Sequence, residues 1–216
     1  NQKDEINLLK ENGPIISLKK RLNALNKAVK KNFQVAILDD GLQQKNIKYN
    51  LNIVCFNSDE GIGNGFLLPA GPLRESLNNI NNYDIAFLIG EKKNKKLYNK
   101  IKYFNKRIKI FEANYKPINL KKLDRKKKYL MFCGIGNPNE FKLTLLKYKF
   151  KIQRKIIYPD HYSFSKNEIK NIKKIAKKEK LDIITTDKDF NRLDFNQRKK
   201  IKVLKVELDI KKLNNF

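Results

Sequence analysis

The sequence is poor in several residues on which functional sites often depend. Tryptophan is absent, histidine occurs once, at His161, and cysteine occurs twice, at Cys55 and Cys133. Both cysteines stand inside apolar segments, so we predict buried free thiols in a reducing compartment rather than a disulfide or a metal site. No apolar run approaches the ~20 residues that span a bilayer. No signal peptide is recognisable, and the start at Asn1 without methionine suggests a fragment of a longer protein.

Acidic residues are also scarce. The 216 residues include 49 lysines and arginines against 22 aspartates and glutamates, for a formal charge of +27. Such an excess predicts a polyanionic partner, either nucleic acid or an anionic membrane surface. Lysine, asparagine and isoleucine are all abundant, as AT-rich codon usage would produce, and we favour this explanation over nucleic-acid binding. Aromatic residues alternating with arginine, which are typical of nucleic-acid-binding motifs, are missing.

Apolar strands and amphipathic helices alternate along the chain, which predicts an α/β fold with mainly parallel sheets. Hydrophobic residues make up 40% of the chain, enough for one large domain or two small ones. The predicted strands are Pro14 to Leu18, Val35 to Leu38, Ile53 to Phe56, Ile85 to Ile89, Ile108 to Phe111, Tyr129 to Cys133, Ile152 to Tyr158, Asp182 to Thr185 and Val203 to Leu208.

Helices are predicted over Lys20 to Lys31, after Pro138, and behind the capping box Ser165 to Glu168. The final strand, Val203 to Leu208, could pair with the segment around residues 113–120. Such a pairing would form a two-stranded connector between two domains.

One apolar run, Val35 to Leu38, ends in two adjacent carboxylates, Asp39 and Asp40, followed by Gly41. Four successive apolar residues suit a central parallel strand that is buried on both faces. The carboxylates would then emerge at the sheet edge where ligands bind in open α/β folds. Many nucleotide-hydrolysing folds hold Mg²⁺ in this way beside a phosphate chain. On the residues alone, a cap and turn explains the pair better than a metal site.

Four motifs stand in a characteristic order: Asp39 to Gln43, Gly63 to Glu75, Gly134 to Pro138, and Pro159 to Phe164. In this order and spacing they closely resemble the tetraacyldisaccharide 4'-kinase family, the lipid A 4'-kinases. The long run from Gly63 to Glu75 makes the resemblance specific. The resemblance covers nearly the whole chain but only the C-terminal two-thirds or so of the family's proteins. The family's N-terminal membrane helix and phosphate-binding P-loop lie upstream of Asn1.

The resemblance implies ATP-dependent phosphorylation of the 4'-hydroxyl of a tetraacyldisaccharide 1-phosphate in lipid A biosynthesis, with Mg²⁺. It implies two α/β/α sandwich domains joined by a two-stranded β connector. The implied division is the remainder of a kinase domain over 1–112, a connector strand over 113–127, a second α/β domain over 128–202, and a returning strand and tail over 203–216. The sequence Gly-x-x-x-x-Gly-Lys-Ser/Thr does not occur, so we expect this chain alone to be inactive.

The implied location is the cytoplasmic face of the bacterial inner membrane. The expected partners are the lipid disaccharide and an anionic membrane surface, and no protein partner is predicted. The alternative is a non-catalytic basic module that binds nucleic acid or an anionic membrane, which the charge of +27 would suit.

The resemblance also implies roles for individual side chains. Asp39 and Asp40 would hold and orient the metal ion. His161 matches the family's catalytic histidine, which can tune a neighbouring carboxylate or relay a proton. Asp4 matches the aspartate that pairs with that histidine and acts as a base toward the sugar hydroxyl. Because the glycine that precedes this aspartate in the family is Lys3 here, a helix-terminal role for Asp4 remains the alternative.

Substrate-binding roles are implied for Gln43, Arg74 and Glu75. The planar guanidinium of Arg74 suits phosphate or carboxylate recognition, and an intramolecular salt bridge that shapes the loop is the alternative.

The sequence departs from the family's usual residues at three positions. They are Leu42 for an aromatic residue, Gln44 for histidine, and Phe66 for a basic residue. Two further motifs are interpreted as structural. They are Gly134 to Gly136, a packing turn rather than a dinucleotide site, and Thr185 to Asp189 at the end of a strand.

Overall fold

The computed structural model describes residues 13–211 as two four-stranded sheets with connecting helices. The strands are β1 (Ile53–Asn57), β2 (Ile85–Ile89), β3 (Lys109–Pro117), β4 (Lys128–Cys133), β5 (Lys151–Ile157), β6 (Asp182–Thr186), β7 (Ile201–Leu204) and β8 (Val206–Ile210). The α-helices are α1 (Arg21–Lys30), α2 (Lys95–Phe104), α3 (Pro138–Lys147), α4 (Lys166–Lys178), α5 (Asp187–Asn191) and α6 (Phe195–Arg198). Two short 3₁₀ helices cover Leu77–Asn82 and Leu120–Lys122.

These elements form two compact units, which we name after their central strands. The β2 unit comprises residues 35–116 and 207–211, and the β4 unit comprises residues 13–34 and 117–206. The strand orders are β1-β2-β3-β8 and β5-β4-β6-β7. The pairs β1–β2, β2–β3, β4–β5, β4–β6 and β6–β7 are all parallel. The predicted α/β fold with mainly parallel sheets is therefore confirmed, while the predicted domain boundaries stay a prediction.

The core of the β4 unit lies on both faces of its sheet. Successive side chains of a strand point to opposite faces, so Leu130 and Phe132 of β4 pack in one cluster and Tyr129, Met131 and Cys133 in another. The first cluster includes the apolar face of α4, and the second includes that of α3. Helices thus cover this sheet on its two sides.

Helix α4 begins where the sequence predicts it. The Ser165 hydroxyl accepts a hydrogen bond from the Glu168 backbone N–H, and the Glu168 carboxylate accepts one from the Ser165 N–H. This reciprocal capping satisfies two backbone donors that the first turn leaves without partners. Ile169, Ile172 and Ala176 then follow at helical spacing and are buried.

The β2 unit also has two core clusters, but α2 contributes to only one of them. Ala86 and Leu88 of β2 pack with Leu97 and Ile101 of α2. On the other face of the sheet, Ile85 and Phe87 pack with residues of β3, among them Phe111. Among residues 13–211, none of the helices combines the length and the apolar character that a membrane span requires.

Two predicted strands are wrong. Residues 14–18 and 35–38 are not part of either sheet. Val35 is 76% exposed and Ile37 is 93% exposed, so this apolar run is not buried on both faces as predicted. An apolar run becomes a central strand only where neighbouring strands satisfy its backbone and cover its side chains. Among the described residues, none forms a ladder with 35–38, and Pro14 carries no N–H that could join one.

The last predicted strand is also different in the structure. Residues 201–204 form β7 beside β6, and residues 206–210 form β8 beside β3, so the chain leaves one sheet and joins the other at Lys205. Asn119 holds this point, because its side chain donates to the Val203 carbonyl at 2.8 Å and accepts from the Lys205 N–H at 3.0 Å. The predicted pairing with the segment around residues 113–120 is present through β3 and β8.

The two cysteines differ in environment. Cys133 is fully buried as predicted, and burial, with the nearby charge of Asp189, raises the pKa of its thiol to about 12. Cys55 lies exposed on β1, so the prediction of burial is wrong for this residue. The reason is that, among residues 13–211, β1 has a neighbouring strand, β2, on one side only.

Candidate functional site

The predicted metal pair lies on a turn of the β2 unit, directly after residues 35–38. Asp40 adopts a left-handed conformation with φ of +50°, which aspartate tolerates better than most residues. The turn is fixed by Tyr49, whose hydroxyl donates to the Gly41 carbonyl at 2.5 Å. A Cβ on Gly41 would lie 2.9 Å from the Leu38 Cβ, so only glycine fits this approach without a shift.

Arg74 joins this turn from the end of the long loop. Its Nη1 donates to Asp40 Oδ2 at 2.9 Å, although the two residues are 34 positions apart in the chain. The hydrogen bond and charge of Asp40 raise the pKa of Arg74, and the charge of Asp39 adds to the effect. Both partners remain well exposed, with 62% and 68% of their side chains accessible. The two residues predicted to hold the metal ion and one residue predicted to bind substrate therefore lie together.

Glu75 is anchored rather than open. Its Oε2 accepts hydrogen bonds from Asn79 Nδ2 at 2.6 Å and from the Tyr83 hydroxyl at 3.0 Å. Burial opposes ionisation, but the hydrogen bonds of Asn79, Tyr83 and Gln43 outweigh it and lower the pKa of Glu75. Burial and the same carboxylate raise the pKa of Tyr83 to about 12. Gln43 and Glu75, both predicted to bind substrate, are thus neighbours.

His161 lies on the loop between β5 and α4 of the β4 unit, with φ of +57°. Its Nδ1 is 3.2 Å from Nη2 of Arg192. Because a guanidinium can only donate, Nδ1 accepts this hydrogen bond and the neutral ring carries its proton on Nε2. Nε2 in turn faces Asp160 Oδ2 at 3.8 Å.

Arg192 is positioned by a buried carboxylate. Asp189 is 0% exposed and accepts hydrogen bonds from the Gly134 N–H, the Thr186 hydroxyl and Arg192 Nη1, the last at 3.0 Å. Burial raises the pKa of Asp189 despite these contacts. Thr186 also caps α5, which agrees with the structural role predicted for this motif. The result is a chain of contacts from Gly134 through Asp189 and Arg192 to His161.

Sequence reasoning missed Arg192. It lies 31 residues from His161, on no motif that the sequence distinguishes, so only the fold connects the two. The predicted packing turn does support this arrangement. A Cβ on Gly134 would lie 3.0 Å from the Tyr162 Cβ and 3.1 Å from the Pro159 carbonyl oxygen, so the turn packs closely against the loop that carries His161.

The donors that the structure presents fit a magnesium ion only in part. Among residues 13–211, no group of three or more histidine, cysteine, aspartate or glutamate side chains could hold a metal ion. Mg²⁺ is often held by one or two carboxylates, with water and phosphate oxygens as its other ligands. Asp39 and Asp40 match that minimal set, although Arg74 engages one oxygen of Asp40. Asp4, the predicted base, lies outside the described residues.

Fold and site together define a mainly parallel α/β protein in which each unit carries a cluster of polar side chains on its loops, where ligands bind in open α/β folds. The sequence profile of LpxK, tetraacyldisaccharide-1-P 4'-kinase, matches residues 3–216. The chain therefore belongs to the tetraacyldisaccharide 4'-kinase family, as its four motifs predict.

Named relatives agree with this assignment. A tetraacyldisaccharide 4'-kinase of Pelagibacter ubique is 44% identical, over 100% of this chain and 69% of its own length. One of Rickettsia canadensis is 36% identical, over 98% of this chain and 64% of its own length. A solved structure, the "apo" form of LpxK from Aquifex aeolicus in complex with ATP, has a TM-score of 0.61 at 22% identity and shows the shared fold. It is matched over 89% of this chain and 58% of its own, so the chain spans between 58% and 69% of the length of these proteins.

Proposed function

We propose that this chain forms part of an enzyme that transfers the γ-phosphate of ATP to the 4'-hydroxyl of tetraacyldisaccharide 1-phosphate. Membership of the family supports this function over the alternative of a basic module without catalysis. The observation that carries the proposal is the contact between Asp40 and Arg74, which unites two of the family's motifs in one place.

In the proposed site, Asp39 and Asp40 would hold Mg²⁺, and the bound ion would supply positive charge beside the phosphate oxygens. Arg74 holds the second carboxylate in place until the ion or a phosphate competes for it. Glu75 fixes the end of the loop through Asn79, and Gln43 contributes a polar group beside it. These side chains position and neutralise, which is most of what phosphoryl transfer needs from a protein.

His161 is proposed to take part in proton movement at the sugar hydroxyl. With Arg192 holding Nδ1, the other ring nitrogen, Nε2, is the atom that presents a proton. Asp4 is proposed as the base that pairs with this histidine, following the family's pattern. An alcohol that attacks a phosphate benefits from such an acceptor for its proton.

The chain alone is proposed to be inactive, because its sequence contains no P-loop to cradle the β- and γ-phosphates. The proposed setting is the cytoplasmic face of the inner membrane, where the lipid disaccharide would be available. ATP-dependent phosphorylation of the disaccharide by these 216 residues alone would overturn the proposal that the chain by itself is inactive.

The test is phosphate transfer to the lipid by full-length protein that carries Asp39→Asn or Asp40→Asn. Loss of a metal ligand should lower kcat by roughly 100-fold or more, and added Mg²⁺ should restore part of the loss. Asp209→Asn is the matched control, since Asp209 is an exposed carboxylate on β8 of the same unit. Near-normal turnover in both site variants would remove the metal role.

A further inference from the structure

The loop between β1 and the first 3₁₀ helix presents large apolar side chains to solvent. Phe66, Leu67 and Leu68 are 63%, 47% and 61% exposed, and Pro69 and Ala70 after them are also exposed. We call residues 66–70 the apolar tip. Single exposed apolar residues are ordinary, but a contiguous group on a soluble surface usually marks a site of interaction.

The apolar tip is held in shape by its own hydrogen bonds. Asn64 donates to the Ala70 carbonyl at 2.8 Å and accepts from the Phe66 N–H at 3.1 Å. Backbone bonds join Leu68 to Leu73 at 2.8 Å and Leu73 to Phe66 at 3.2 Å. A Cβ on Gly71 would lie 2.2 Å from Asn64 Oδ1, so this closed arrangement requires glycine.

The hydrogen bonds within the loop lower the cost of moving the apolar tip from water into an apolar medium. Backbone groups without partners are costly to move out of water, whereas satisfied groups are not. At the tip, the N–H groups of Phe66 and Leu68 already have acceptors within the loop, and the carbonyl groups of Phe66, Leu67 and Ala70 already have donors there. The tip can therefore exchange water for an apolar medium while its side chains gain contacts that solvent does not give.

The base of the same loop is tied to a basic turn. The Ser58 hydroxyl donates to the Lys92 carbonyl at 2.5 Å, and Asn94 Nδ2 donates to the Ser58 carbonyl at 2.9 Å. A Cβ on Gly61, at the start of the loop, would lie 3.3 Å from Asn94 Nδ2. The turn exposes four lysines: Lys92, Lys93, Lys95 and Lys96. We call these four the lysine turn.

We propose that the apolar tip inserts into the headgroup boundary of an anionic phospholipid bilayer, with the lysine turn bound to the headgroups. Shallow insertion of apolar side chains flanked by lysine is the usual design of peripheral membrane attachment. The formal charge of +27 complements such a surface as a whole, which favours a bilayer over a neutral protein partner. The inference gives a residue-level surface to the membrane setting proposed above, and vesicle binding can be measured without any phosphate transfer.

The first experiment measures binding of full-length protein to sedimented vesicles, without ATP. The vesicles contain either equal parts phosphatidylglycerol and phosphatidylcholine or phosphatidylcholine alone. The double variant Phe66→Ser, Leu68→Ser should weaken binding to anionic vesicles by about tenfold or more. The control is Tyr103→Ser with Phe195→Ser, because these two aromatic residues are 81% and 79% exposed but lie outside the tip. Equal losses in both double variants, or none in the tip variant, would overturn the proposal.

A charge-matched pair separates the lysine turn from the general positive charge. Replacement of all four lysines of the turn by glutamine should weaken binding to anionic vesicles by at least tenfold at low salt. At high salt the difference between this variant and the unsubstituted protein should be much smaller, because salt screens the charges. The control replaces four exposed lysines of α4 by glutamine: Lys170, Lys174, Lys177 and Lys178. Both variants lose the same net charge, so similar losses would show that binding is diffuse and would refute a specific surface.

The depth to which the apolar tip enters the bilayer is measured with Phe66→Trp, since the 216 residues contain no tryptophan. Emission of the introduced tryptophan, taken as the difference from unsubstituted protein, should shift to shorter wavelength and be quenched by brominated acyl chains. Tyr103→Trp should show neither change. If the tip variants bind vesicles normally but raise KM for detergent-dispersed lipid substrate, the tip contacts the substrate and not the bilayer, and the proposal fails while the kinase function stands.

Discussion

The two units each contain an aspartate–arginine pair, and the two pairs are alike in distance but not in surroundings. In the β4 unit, Asp189 and Arg192 are 3.0 Å apart and their side chains are 0% and 5% exposed. In the β2 unit, Asp40 and Arg74 are 2.9 Å apart and are 68% and 62% exposed. Water screens the second pair and leaves the first unscreened, so equal distances do not mean equal energies. We therefore expect the buried pair to contribute more to the stability of its unit than the exposed pair does.

The largest expected effect comes from breaking the buried pair. Arg192→Leu leaves the carboxylate of Asp189 buried without its counter-charge, which should lower the free energy of unfolding of the β4 unit by about 3–5 kcal/mol. Urea unfolding, or hydrogen exchange followed in β4 and β6, measures the loss. A change below about 1 kcal/mol would mean that water reaches Asp189 and that the two pairs do not differ as described.

Arg192 of this pair should also determine which ring nitrogen of His161 carries the proton. Arg192→Lys keeps the positive charge but cannot reproduce the planar fork that reaches both Asp189 and His161. We expect the ring proton of His161 to lose its preference for Nε2, which ring-nitrogen chemical shifts report directly. An unchanged tautomer would show that Arg192 does not orient the ring.

An intermediate effect is expected from the anchored carboxylate of the β2 unit. Tyr83→Phe removes one of the two hydrogen bonds to Glu75 Oε2 and should cost about 1–2 kcal/mol at pH 7. Because the folded-state pKa of Glu75 is lowered, its stabilisation is present above its ordinary value of 4.5 and is lost as the pH falls through the folded-state value. The deficit of the variant should therefore shrink in acid. Tyr98→Phe on α2, a half-exposed tyrosine, is the control and should change little at any pH.

Local sequence patterns predict some elements of the two units correctly and others wrongly. In the β4 unit, the periodicity of β4, β5 and β6, the capping box and the turn at Gly134 act over a few residues, and the structure agrees with them, whereas the strand predicted over residues 14–18 is absent. In the β2 unit, the apolar run 35–38 carries the same kind of signal, yet three of its four residues are exposed, because burial depends on neighbours that no local pattern records.

Site residues follow the same rule. The resemblance implies metal roles for Asp39 and Asp40 and a substrate-binding role for Arg74, and the structure places these three side chains near one another, while the roles stay predictions. The contact between Arg192 and His161 could not be predicted, because neither its residue types nor their spacing is distinctive and only the packing of α5 against the Gly134 turn creates it. Local chemistry is readable from sequence, whereas a contact between distant loops requires the fold.

The smallest effect on stability is expected from the exposed pair, and it is the most informative about function. Arg74→Leu should lower the free energy of unfolding of the β2 unit by no more than about 1 kcal/mol, and 1 M salt should remove most of that difference because the pair is open to solvent. In the full-length protein the same substitution should reduce kcat/KM for the lipid substrate by at least about tenfold, since a guanidinium that contributes little to folding is free to recognise an anionic group. Arg125→Leu is the matched control, because Arg125 is an exposed arginine of the other unit. A large loss of stability with unchanged turnover would reverse the assignment and make the Asp40–Arg74 pair a structural clasp of the loop, which is the alternative that the sequence left open.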